Sequence, residues 1–114
     1  MTRGEIWWAD FGIPFGSEAG FRRPVLIVQD DAFNKSRIAT VVVVPLTTNV
    51  SLGNAPGNVF VDREDSGLSK DSVVVVSQIC ALDRKRLLEL AARSMKATMS
   101  EVEHGIKMLL GLGK

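Results

Sequence analysis

The sequence predicts a mainly β domain, a small closed barrel that carries a helix at its C-terminal end. Two four-valine runs, Val41–Val44 and Val73–Val76, are the first sign. Their β-branched side chains fit a pleated surface, and their unbroken apolar character asks for cover on both faces or a tightly curved sheet. The second sign is that closing the sheet removes the edges through which strands this apolar would aggregate. The third is a change of period: Met99, Val102, Ile106, Leu109 and Leu110 recur at helical spacing in the last third.

Gly4–Phe11, rich in aromatics, reads as the first strand, and Pro24–Gln29 as the second. Proline is tolerated at the first residue of the second strand, where it removes one ladder donor. Further strands are expected over Ile38–Leu46, Asn58–Asp62, Ser72–Val76 and Gln78–Leu82. A short helix is expected over Asp83–Ala92. The final helix has Thr98-Met-Ser-Glu101 in the form of a capping box. Gly105 inside it costs about 1 kcal/mol against alanine, which implies close packing. Neither a repeat nor a linker interrupts residues 1–114, so a single domain is expected.

Composition narrows the chemistry. The 114 residues are 46% hydrophobic and 24% charged with a formal net charge of +1, which excludes a generally cationic coat for nucleic acid. A polyanionic ligand would have to meet focused cations, and Arg22-Arg23 and Arg84-Lys85-Arg86 are the dense clusters. The second reads as a solvated helix face. One cysteine, Cys80, permits neither an internal disulfide nor a thiolate zinc cluster. No apolar run approaches the roughly 20 residues of a membrane span. The opening Met1-Thr-Arg-Gly-Glu-Ile lacks a signal peptide's apolar segment, so a cytoplasmic protein is expected. Metal-ligand spacing, a Walker loop and a dinucleotide fingerprint are all missing, and no cofactor is expected. His104 is the only histidine, which rules out paired-histidine acid–base catalysis within one chain; it reads as a solvated helix residue.

If the second and third strands pair antiparallel, Arg23 before one and Thr47 after the other meet at the same end of the sheet. The Gly16–Gly20 loop and the polar Thr47–Gly57 loop open onto that end too. A guanidinium fork matches phosphate oxygens two at a time, a threonine hydroxyl can donate to the same group, and glycines let backbone amides approach an anion. These features suggest a phosphodiester held at the barrel rim. Alternatively, Arg23 pairs with Glu18 or Asp30 and Thr47 merely closes a turn; spacing alone leaves both open. Trp7, Trp8 and Phe15 are candidate base-stacking residues. One tryptophan must face inward, which favours Phe15.

Gly4-Glu-Ile-Trp7, Gly16-Ser-Glu18, Arg23-Pro-Val-Leu-Ile-Val28 and Val44-Pro-Leu-Thr47 resemble the MazF/PemK family of toxin ribonucleases. Gly67-Leu-Ser-Lys-Asp-Ser-Val73, Gln78-Ile79 and Asp83-Arg-Lys-Arg-Leu87 extend the likeness, in order, over nearly the whole chain. The resemblance implies an SH3-like barrel of the PemK/MazF/CcdB plasmid-toxin type. It implies a homodimer that cleaves single-stranded RNA at short motifs without a metal. Catalysis would fall to Arg23 and Thr47, with Glu18 as a base or positioning residue. RNA contacts would fall to Phe15, Gly16, Ser17, Arg22, Thr48, Asn49 and Gln78. A cognate MazE-like antitoxin would cover the groove, and DNA would be met only indirectly, through that antitoxin. The Ser51–Gly57 segment departs from the family pattern and leaves base preference open.

RNA brings its own nucleophile, the 2′-OH, so a protein need only orient it and stabilise charge on the phosphorane. The products would be a 2′,3′-cyclic phosphate and a 5′-OH. Two other readings fit such a barrel: a gyrase-poisoning toxin of the CcdB type and a binding-only RNA module. The CcdB type acts through a tryptophan near its C-terminus, whereas this chain ends Leu110-Gly-Leu-Gly-Lys114.

Overall fold

In the computed structural model, which describes residues 1–12 and 21–113, β3 (Thr40–Thr47) is the hub of a seven-stranded antiparallel sheet. Along one edge it pairs with β2 (Arg22–Ile27). Along the other it pairs first with β6 (Cys80–Asp83) and then with β5 (Ser72–Val74). A strand that changes partners partway turns a corner, and the sheet curls around it. β1 (Glu5–Asp10) continues beyond β2, β7 (Leu87–Arg93) lies beyond β1, and β4 (Val59–Val61) flanks β5. The expected mainly β fold with a C-terminal helix is the one observed.

The valine runs explain the curl. Val44, Leu26, Ile6, Leu46, Val74 and Val76 feed one buried cluster, which Met99 and Val102 of α3 (Lys96–Leu110) complete. Val41, Val43, Val25, Ile27 and Ala9 feed a second on the other face. Alternate residues of β3 are therefore buried on opposite sides, as its unbroken apolar sequence requires.

Several boundaries differ from expectation. β2 starts two residues before Pro24, and β3 ends on Thr47, so Arg22, Arg23 and Thr47 belong to strands. The helix expected over Asp83–Ala92 is instead a 3₁₀ turn at Arg84–Arg86 followed by β7. Leu87-Leu-Glu-Leu-Ala-Ala has good helix propensity, but the outer edge of β1 offers a ladder, and pairing outweighs tenths of a kcal/mol per residue. The basic run is not a helix face. Arg84 donates to the carbonyls of Phe33 and Asn34, and Arg86 donates to that of Asp10. α3 starts at Lys96 with Met95 at its cap position, so Thr98 lies inside the helix and the capping box does not form. Of the apolar stripe at helical spacing, Met99 and Val102 are buried, while Leu109 and Leu110 are exposed.

Gly105 packs α3 against the loop before β4. A Cβ there would stand 2.2 Å from the carbonyl oxygen of Gly57, too close for any real contact, and the obstruction is backbone. Gly105→Ala should lower stability by about 2 kcal/mol, a clash of roughly 3 offset by about 1 of helix propensity. Urea unfolding of the two proteins measures it.

Two carboxylates fasten the N-terminal segment. Burial pushes the Glu5 pKa up, but the Thr2 amide, the Trp7 indole N–H and Arg93 together hold it below the ordinary 4.5. The Arg3 amide and the Asn34 side chain hold Asp31 below 3.8. Both folded values lie under the unfolded ones. Their stabilisation is therefore present above those ordinary values and lost as pH falls through the folded ones. Glu5→Gln should flatten the fall in urea midpoint between about pH 5 and about pH 3, read by titrating both proteins side by side.

Candidate nucleic-acid interface

The β2–β3 ladder pairs Ile27 with Val43, Leu26 with Val44 and Val25 with Pro45. Continued by two residues, the same register sets Arg23 across from Thr47. Directly opposed residues share a face, so the guanidinium and the hydroxyl stand on one side of the sheet. Pro24 and Pro45 have no N–H to give, which accounts for the ladder ending one rung short of the pair. The two residues are thus opposed without being zipped together.

Arg23 is half-buried, and no carboxylate among the described residues pairs with it. Asp30, one proposed partner, instead caps α1 (Asp31–Asn34) by accepting from the Ala32 amide at 2.9 Å. Thr47 does close a turn: its Oγ1 accepts from the Asn49 amide at 3.2 Å. That bond uses a lone pair, and the hydroxyl proton stays available to donate. Turn closure and phosphate contact are compatible.

The other sequence candidates divide. Thr48 and Asn49 are exposed beside Thr47. Arg22 lies on the opposite face, 5.2 Å over the Trp8 ring and paired with Glu89, so its charge is largely countered. Gln78 ends a 3₁₀ turn, Val76–Gln78, between β5 and β6. Its side-chain oxygen is buried with no hydrogen-bond partner among the described residues, which costs roughly 1–3 kcal/mol. Phe15, Gly16, Ser17 and Glu18 lie outside the described residues. His104 is an exposed residue of α3, as expected.

Two features escaped sequence reasoning. Phe21, two-thirds exposed at the entry to β2, holds a left-handed backbone (φ 57°) between amide bonds linking it to Phe11 and Gly12. Such a conformation costs a non-glycine residue about 1–2 kcal/mol. The second feature is a pocket of about 270 Å³ at the same rim, which Thr47 shares with Trp8, Pro24, Thr48, Ser69 and Lys70. Among the described residues, no group of three His, Cys, Asp or Glu side chains could hold a metal ion.

A family model described as "PemK-like, MazF-like toxin of type II toxin-antitoxin system" matches residues 2–110. The chain belongs to this family. It is 41% identical over 112 residues to Endoribonuclease MazF6 of Mycobacterium tuberculosis, covering 98% of each chain. Its backbone superposes on the crystal structure of MazF from Deinococcus radiodurans with a TM-score of 0.82 at 26% identity, covering 98% of this chain and 97% of that one. It also matches a mycobacterial endoribonuclease solved in complex with its cognate antitoxin, with a TM-score of 0.80 at 27% identity, covering 100% and 98%. The arginine–threonine rim thus lies in a PemK/MazF toxin domain.

Proposed function

We propose that this PemK/MazF toxin is an endoribonuclease that cuts single-stranded RNA, with Arg23 and Thr47 as its catalytic pair. The opposition of a guanidinium and a hydroxyl on one face of the sheet rim carries the reading, and the named activity of the relatives supports it. The 2′-OH adjacent to the scissile phosphate attacks phosphorus, and the 5′ oxygen leaves. Arg23 stabilises the charge growing on the non-bridging oxygens; its high pKa suits electrostatic stabilisation better than proton donation. Thr47 donates its free hydroxyl proton to the same phosphate. Single strands suit the site because their bases can splay away from the backbone, and exposed Phe21 offers a stacking surface beside Arg23. Glu18 would take the 2′-OH proton or position the substrate, and Gln78 would spend its orphan oxygen on an RNA donor.

The antitoxin of the mycobacterial relative suggests the partner: a cognate chain whose acidic segment lies over the cationic rim and excludes RNA. The exposed apolar side chains of Phe33, Ile38 and Leu112 line one groove beside α3 and support self-association. A dimer in the cytoplasm is the expected working state, and sedimentation equilibrium should return twice the chain mass.

Purified protein incubated with a long RNA and a chelator should cut at recurring motifs and leave 2′,3′-cyclic phosphate ends. Replacing the attacking 2′-OH by hydrogen should abolish cleavage while sparing binding. Arg23→Ala and Thr47→Ala should each lose about 10²-fold or more in rate with an unchanged circular dichroism spectrum. A folded Arg23→Ala protein with full activity would remove Arg23 from the chemistry.

A further inference from the structure

The outer face of β4 has no part in the chemistry above, yet the sheet register joins it to the arginine–threonine pair. Thr47 stands opposite Val73 of β5, and Val73 stands opposite Phe60 of β4. Paired residues share a face, so Arg23, Thr47, Val73 and Phe60 form one row across β2, β3, β5 and β4. Their neighbours along the strands agree: Leu46, Val74, Val59 and Val61 point the other way, into the first hydrophobic cluster. Two strand spacings put Phe60 about 10 Å from Thr47.

The row is built as a fixed floor. Val73 is fully buried but lies outside both hydrophobic clusters. A 3₁₀ turn, Val50–Asn54, covers it: a Cβ on Gly53 would stand 3.5 Å from the Val73 side chain and 3.6 Å from the Phe60 Cβ. The Asn49 amide on Thr47 Oγ1 braces one end of that turn, and the Asn58 side chain, donating to the Leu52 carbonyl at 3.0 Å, braces the other. β4 runs on into α2 (Arg63–Ser66), which the Asp62 side chain caps by accepting from the Asp65 amide at 2.8 Å. The Phe60 ring nevertheless remains 51% exposed. A lone exposed phenylalanine needs no explanation. This one continues a row that begins with a cation that no carboxylate among the described residues pairs with.

We infer that Phe60 stacks a base of the bound RNA, within about two nucleotides of the scissile phosphate. The occupant follows from continuity of the face. A strand whose phosphate lies between Arg23 and Thr47 carries its neighbouring bases outward from that pair, and Phe60 is the aromatic ring that the row offers on the Thr47 side. Every base has a π-face, so the contact anchors the strand without reading its sequence. A ring held on a braced strand loses little entropy on binding. This inference rests on the ribonuclease reading, and the experiment separates the two.

A short RNA whose cut site has been mapped with the wild type is remade with 2′-deoxyribose at that site, so that it binds uncleaved. 2-Aminopurine then replaces each neighbouring base in turn. The wild type should quench the fluorescence at one position within about two nucleotides of the cut. Phe60→Leu should lose that quench and bind the RNA about tenfold more weakly, and Phe60→Trp should restore both. Phe60 is exposed, so both variants should fold, with urea midpoints matching the wild type. Quenching that Phe60→Leu leaves unchanged at every position overturns the inference. So does a Phe60→Leu protein that binds RNA as the wild type does but loses affinity for the cognate antitoxin, which would give the ring to that partner. A wild type that neither binds nor cuts RNA overturns the ribonuclease reading itself, and this inference with it.

Discussion

The register between β2 and β3 is the constraint from which the rest follows. A slip of one residue would send every side chain of β2 to the other face and carry Arg23 away from Thr47. Burial forbids it from both sides at once. Leu26 and Val44 sit in one core, and Val25, Ile27 and Val43 in the other. Each such side chain gains roughly 1.5–3 kcal/mol from burial, so a slip would place several of these terms at risk together. The position of one cation opposite one hydroxyl is thus enforced by apolar packing well inside the rim.

The prolines refine this arrangement. Pro24 and Pro45 occupy neighbouring strands just below the rim, and neither can extend the ladder. Strands zipped to their last residue would commit the backbone around Arg23 and Thr47 to each other. Here pairing stops at Val25 and Pro45, and the Pro45 carbonyl is used instead by the amide of Val75, tying the rim to the segment beyond β5. The result is a rim anchored from below and open above. Its electrostatics follow the same economy: Arg22 is neutralised by Glu89 over Trp8, so the net charge near +1 is compatible with a focused cation at Arg23.

The strands were legible because their signal is local. Valine runs, aromatic alternation and turn residues placed six of the seven to within a few positions. β7 was hidden because Leu87-Leu-Glu-Leu-Ala-Ala is helix-prone and becomes a strand only through the edge of β1, a partner some eighty residues away in sequence. The capping box failed for a similar reason. The Ser94 hydroxyl and amide are both bonded to the Gly4 carbonyl, and the chain turns helical from there, before Thr98 can act as a cap. Arg23 and Thr47 could be placed together because antiparallel pairing of adjacent strands is a short-range rule. Phe21 and the pocket could not, since one depends on a backbone angle and the other on residues from four separate segments.

That difference bears on how such a small domain can divide its tasks. The opposed pair sits on strand ends, whose placement tolerates no change in register without loss of the core. The pocket takes Trp8, Pro24, Leu46 and Thr47 from β1, β2 and β3, and Ser69 and Lys70 from a loop anchored by a capped helix turn and a left-handed glycine. Ser69 and Lys70 can change without disturbing either hydrophobic cluster because they are exposed, whereas Leu68 beside them packs against the first. A rim fixed by the core, beside a wall whose exposed side chains are free to vary, needs no second domain. The constraint on the first is packing, and the freedom of the second follows from exposure.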